Sequence, residues 1–162
     1  MNPAIRYLIY EYNKRRSEIK NRLKEFTLLH KGKDEKIFKE LSFCLLTANA
    51  NALKCDEAIR DLEKAGLLLK GKVHQIRPKI KGKVRFHNKK ASFLVGARRL
   101  FENGKRIDLK RRLDFKDPVA TREWLVANIK GMGYKEASHF LRNIGLGKNI
   151  AILDRHILKN LK

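Results

Sequence analysis

Cysteine is scarce in this chain: Cys44 and Cys55 are the two it has, and both fall inside apolar helical runs. Two thiols cannot furnish the four thiolates of an iron–sulfur cluster, and no grouping of Cys and His has metal-ligand spacing. The expected state is a pair of buried thiols in a reducing compartment. Glutamine occurs once, as Gln75, beside abundant Lys and Glu, a weak compositional sign of a thermophilic source. Long apolar runs are missing too, so no helix is expected to span a bilayer. The opening residues, MNPAIRYLIYEYNKRRSEIK, are amphipathic and charged, unlike a secretory leader. The expectation is a soluble, intracellular, cytoplasmic protein.

Acids are the other shortage. Asp plus Glu number 17 against 39 Lys plus Arg, a formal charge of +22 in 162 residues. With 43% hydrophobic residues the chain is no disordered basic tail. Its length suits one core, or two small lobes sharing a cleft. A polyanionic partner follows from the charge, because basic side chains displace condensed counterions from phosphates. Membrane surfaces and acidic proteins attract the same charge, so its sign alone does not name the partner. The segments from Gly71 to His87 and from Gly104 to Lys116 concentrate it. Two such loops on one helical domain suit a phosphate-tracking surface better than an idle solvated face.

Helical periodicity runs through most of the chain. Ile5, Leu8, Ile9 and Tyr12, then Ile19, Leu23 and Phe26, recur at three or four residues. A second helix opens near Asp34, a candidate cap, with Ile37, Leu41, Cys44 and Leu45 on one face. A third covers LKCDEAIRDLEKAG, and a fourth follows RFHNKKASFLVGARRLF with Asn88 as candidate cap. Asp117 followed by Pro118 starts a fifth. A sixth begins at about Tyr134 and a seventh at Asp154. Only LLLKGKVHQIRPKI reads as extended, and its Pro78 argues against a central strand. The fold class is therefore all-α, as a single domain over residues 1–162.

The stretch IKGMGYKEASHFLRNIG holds a glycine turn between two helices, a hairpin of about residues 118–145. Glycine permits positive φ and close backbone approach. Amides at the start of the second helix lack partners and lie at the positive end of its dipole, a setting that grips a phosphate. Glycine turns of this kind also serve as plain corners between packed helices. Ala137, Phe140, Leu141 and Ile144 form the core stripe of the second helix, which leaves Lys135, Ser138, His139 and Arg142 on the opposite side. Lys135 is then either a surface lysine or an amine presented to a cleft. Asp154 is either a helix cap alone or a cap that also does chemistry.

The run IKGMGYKEASHFLRNIGLGKNIAILDRHI resembles the helix-hairpin-helix core of DNA glycosylases: hairpin, lysine, then an aspartate about twenty residues on. Its wording is similar to the archaeal-type 8-oxoguanine DNA glycosylase/AP lyase class. Upstream, ELSFCLLTANANALKCDEAI resembles the opening helix and loop of that core, and RFHNKKASFLVGAR its middle. The likeness spans roughly residues 38–162. It implies two small helical lobes flanking a cleft, Lys135 as the Schiff-base lysine and Asp154 as the catalytic aspartate. It implies a partner, double-stranded DNA containing oxidised guanine, bound by a monomer, and base excision by nucleotide flipping, imine formation and β-elimination. Such chemistry needs the amine neutral, and a helix N-terminus and desolvation both favour that form.

The same resemblance assigns the hairpin residues Lys130, Gly131, Gly133 and Tyr134 to DNA contact. Asn49 and Asn51 of the loop TANANA are candidates to fill the gap left by a flipped nucleotide. Phe86 is a candidate to stack on the displaced base, or else a core anchor, and His139 is a DNA-facing or solvent residue. No cofactor is implied beyond a monovalent cation held by hairpin carbonyls. The chain ends at Lys162, in an LK that resembles the end of longer members, whereas the family pattern continues through further helices. The expectation is a fold lacking its C-terminal helices. Two other readings stand beside the glycosylase/lyase: a non-catalytic helix-hairpin-helix DNA-binding module, and a related enzyme for another damaged base.

Overall fold

A computed structural model describes residues 2–161, so Lys162 lies outside the described residues. Among them the helices are α1 (Pro3–Leu29), α2 (Asp34–Thr47), α3 (Ala52–Lys64), α4 (Leu67–Lys70), α5 (Val73–Ile80) and α6 (His87–Phe101). Two short strands follow, β1 (Glu102–Asn103) and β2 (Arg106–Ile107), then α7 (Pro118–Asn128), α8 (Tyr134–Asn143) and α9 (Arg155–Asn160). The strands pair antiparallel, Glu102 opposite Ile107 and Asn103 opposite Arg106. The all-α expectation stands, with this small hairpin added. No helix among the described residues is long and apolar enough to cross a membrane.

The core is built around α2. Ile37, Phe38, Leu41, Cys44, Leu45 and Leu46 are each at most 1% exposed, and α2 packs on α3, α6 and α8. The stripe expected on α8 is realised in full: Ala137, Phe140, Leu141 and Ile144 have no exposed surface. Each large side chain of that stripe contributes about 1.5–3 kcal/mol by leaving water. Asn143, also buried, donates to Glu40 Oε1 at 2.5 Å and ties the end of α8 to α2.

Several local expectations are corrected. Residues 67–80 are not extended but form α4 and α5, which bury Leu68, Ile76 and Ile80. Gln75 Oε1 accepts from Lys72 N–H at 2.9 Å and closes the start of α5. Pro78 falls late in that helix and costs it one backbone bond. Asp34 is the first residue of α2 rather than its cap. Its Oδ2 accepts from Leu109 N–H at 2.8 Å and fastens the segment after β2. Asn88 is likewise inside α6, with Phe86 at the cap position. Asp117 and Asp154 do cap α7 and α9.

Helix α1 forms where its period predicts, yet it buries no residue among those described. Leu8 is 65% exposed and Leu23 53%, so the recurring apolar residues form no core face. Its firm seat is at its C-terminal end, where His30 Nδ1 lies 3.1 Å from Ile144 O. Gly145, at φ +80°, passes so close that a Cβ would lie 2.6 Å from Thr27 Cα and 2.8 Å from Phe26 O. Backbone atoms cannot step aside as a flexible side chain can. Gly145→Ala is therefore expected to lower stability by roughly 2–3 kcal/mol. The measurement is the denaturant midpoint at constant slope. An unmoved midpoint would mean that α1 is not seated on Gly145.

Candidate active site

The corner between α7 and α8 starts with a cap: Asp117 Oδ1 accepts from Val119 N–H at 3.1 Å and Ala120 N–H at 2.9 Å, with Pro118 at the first turn. After α7 the chain turns on Ile129, whose carbonyl accepts from Met132 N–H at 3.1 Å. Met132 points inward and is 4% exposed. Gly131 lies at φ +88° against α6, where a Cβ would enter the ring of Phe93. Both the dihedral angle and the contact require glycine there. Gly133 is the N-cap of α8 and has no side chain to cap it, which leaves the first amides of the helix open to an external acceptor. Tyr134 is exposed, and its hydroxyl donates to Glu123 Oε2 at 2.7 Å, bracing α8 against α7.

Lys135 and Asp154 line one cleft of about 650 Å³, together with Asn49, Arg85, Glu136 and His156. The two chemically equipped residues thus come from the first turn of α8 and the cap of α9. Asp154 Oδ1 accepts from the backbone N–H groups of His156 and Ile157, each at 2.9 Å. The Ile157 amide, then that of His156 and the positive charges of His156 and Lys135, hold its carboxyl below the ordinary range. Asp154 is therefore an anion at neutral pH. Among the described residues no group of three or more His, Cys, Asp and Glu could hold a metal.

The other candidates divide. Asn49 reaches the cleft from the α2–α3 loop at φ +53°. Asn51 does not line it; its side chain caps α3, accepting from Lys54 N–H at 3.2 Å. Phe86 is 58% exposed with the Arg85 guanidinium 5.5 Å from its ring centre, so it is no core anchor, and it too lies outside the cleft lining. Lys130 and Gly131 are exposed on the corner. His139 is half-buried and turned edge-on to Phe43, 6.1 Å between ring centres, rather than facing solvent. Ser138, expected on the polar side, is 2% exposed.

Two further residues stand at or beneath the site. Arg85 lines the cleft, yet in a basic segment nothing sets it apart from its neighbours. Lys90 is 3% exposed below the α2–α3 loop. It stands four residues before Leu94 on the apolar stripe of α6, and that spacing was the available signal.

A glycine corner between two helices, an uncapped helix behind it, and an amine and an anionic carboxylate in the cleft beside it make this a helix-hairpin-helix fold with a lysine and an aspartate at one site. Residues 19–162 match the sequence profile of the 8-oxoguanine DNA glycosylase family, and the chain belongs to that family. The 8-oxoguanine DNA glycosylase/AP lyase of Fusobacterium nucleatum is 47% identical over 152 residues, 93% of this chain and 70% of the relative. That of Picrophilus torridus is 43% identical, over 89% of this chain and 66% of its own length. The chain thus spans about two thirds of the length of these curated relatives. The crystal structure of the 8-oxoguanine DNA glycosylase of Thermotoga maritima superposes with a TM-score of 0.82 at 35% identity, over 98% of this chain and 73% of that one. The Methanocaldococcus jannaschii 8-oxoguanine glycosylase/lyase, solved in complex with DNA containing 8-oxoguanine, superposes with a TM-score of 0.79 at 36% identity, over 96% and 74%.

Burial, then the charges of Arg142 and Lys135, push the His139 pKa from 6.5 down to about 4. The unfolded chain takes up that proton near 6.5 and the folded chain only near 4, so folding stability falls as pH drops through this window. After discounting for partial exposure, the loss should be about 1–2 kcal/mol. Urea midpoints at pH 7 and pH 4.5 measure it, and His139→Gln should flatten the difference. A slope unchanged in the variant would assign the proton uptake elsewhere.

Proposed function

We propose that this chain excises 8-oxoguanine from double-stranded DNA as a monomer and then cleaves the strand, with Lys135 as nucleophile and Asp154 as its electrostatic partner. The observation that carries the reading is the meeting of Lys135 and Asp154 in one cleft beside the uncapped start of α8. The hairpin, with Lys130, Gly131, Gly133 and Tyr134, grips the phosphate backbone through amides and positive charge. A damaged base is out of reach inside the duplex, so its nucleotide swings out toward the cleft. Asn49 enters the vacated space, Arg85 lines the cleft that receives the base, and Phe86, beside Arg85, is the aromatic that stacks on it. Asn51 acts through its cap on α3, which steadies the same loop.

The neutral Lys135 amine attacks the sugar carbon that bears the base. The glycosidic bond breaks, its electron pair leaves with the base, and a proton restores the base to neutrality. The ring opens to an imine between Lys135 and the sugar. Loss of a proton from the adjacent carbon then expels the 3′ phosphate, and water releases the lysine. Asp154, held ionised by two backbone amides, stabilises the positive charge that develops on the sugar. No resident metal enters these steps; a monovalent cation at the hairpin carbonyls would serve the phosphate grip alone.

Borohydride reduction traps the imine. The intact chain should form a covalent adduct with 8-oxoguanine duplex and with abasic duplex, and Lys135→Gln should form none. Asp154→Asn keeps a good helix cap and removes only the charge, so a fall of roughly 100-fold or more in base release is expected. An undiminished adduct with Lys135→Gln would overturn the nucleophile. Salt-sensitive binding with no adduct from the parent would make the protein a DNA-holding module, and release of other lesions at equal rates would remove the specificity.

A further inference from the structure

Beneath the loop that brings Asn49 to the cleft lies a buried cation. Lys90, on the first turn of α6, is 3% exposed. Its ammonium donates to Leu46 O and to Ala48 O, both at 2.6 Å. Leu46 O also receives the Cys55 thiol at 3.3 Å. These carbonyls end α2 and begin the loop, and helix geometry leaves such groups without partners inside the helix. A cation at the negative end of the dipole supplies them.

The pairing constrains both sides. Burial disfavours the Lys90 charge, the Glu136 carboxylate offsets this, and the Arg85 charge adds to it. Its hydrogen-bond partners among the described residues are carbonyls, not carboxylates. A buried ammonium deprived of them is costly, and so are two buried carbonyls deprived of it. Drawing two carbonyls, two residues apart, onto one nitrogen bends the chain at that point. The next residue, Asn49, then lies at φ +53°, a conformation that Asn adopts more readily than most side chains. Asn49 emerges exposed in the cleft that Lys135 and Asp154 line.

We infer that Lys90 is a positioning residue for base excision: without touching DNA, it holds the loop of residues 48–50 where Asn49 enters the space left by a displaced nucleotide. The inference rests on the proposed glycosylase/lyase reading. It separates the two halves of that activity, because taking a base out of a duplex needs the gap filled, whereas an abasic site has no base to displace.

The test compares the parent chain and Lys90→Met, under single turnover, on duplex containing 8-oxoguanine and on the same duplex with a preformed abasic site. Base release should fall at least about ten-fold, a cost typical of a contact displaced by a fraction of an ångström. Adduct formation at the abasic site should fall less than about three-fold. Asn49→Ala, a change at an exposed loop position, should show the same split, and the double variant should be no worse than the worse single one. Amide exchange at residues 48–50 should quicken in Lys90→Met while α8 stays protected. Should Lys90→Met fail to fold, Lys90→Gln, an uncharged polar side chain one atom too short to reach both carbonyls as the ammonium does, takes its place with the same split expected. Equal losses on both substrates, or no loss on the intact duplex, would overturn the role of Lys90. A parent chain that forms no adduct at the abasic site would instead overturn the function it rests on.

Discussion

Where the α7–α8 corner lies against Phe93 there is no room for a side chain, and the direction of α8 follows from that contact. Gly131 accepts the close approach and the positive φ together. Met132 can then point inward, and Gly133 can start α8 with its first amides uncovered. The buried stripe of Ala137, Phe140, Leu141 and Ile144 fixes the rotation of the helix about its own axis. Once that rotation is set, Lys135 faces the cleft. A bulkier corner would displace the amine and the phosphate-gripping amides as one unit.

The two buried cations and the capping Asp154 share a pattern. Lys90 is held by carbonyls, Arg98 reaches Leu68 O as well as Glu102, and Asp154 is held by amides. With 17 acids against 39 bases, the chain has few carboxylates to spare for buried cations. Helix ends supply the missing partners, since their backbone groups are unpaired and carry the matching sign. The same economy leaves most of the positive charge on the surface, where a phosphate backbone can use it.

Local patterns read well where short-range physics decides. The Asp117–Pro118 start, the Asp154 cap and the α8 stripe each depend on neighbours within one or two turns. Elsewhere distant groups intervened. Asp34 left its cap role because amides some seventy residues away claimed its carboxylate. Residues 67–80 became helical because Leu68, Ile76 and Ile80 had a core to enter, which outweighed one lost bond at Pro78. Helix α1 has an apolar stripe, yet a stripe states only that burial would be favourable, not that a partner is present.

For the site itself, the sequence by itself determined the residue types and their order: a glycine corner, a lysine in the first turn of a helix, and a capping aspartate further on. These follow from backbone rules that act over a few residues, and the family pattern attached chemistry to them. Only the tertiary structure decided which of them meet. It put Asn49 in the cleft and Asn51 at a helix cap, turned His139 toward Phe43, and buried Lys90 under the loop. The reason is physical: those outcomes depend on contacts between α2, α6 and α8, whose relative placement is set by core packing and not by the spacing within any one of them.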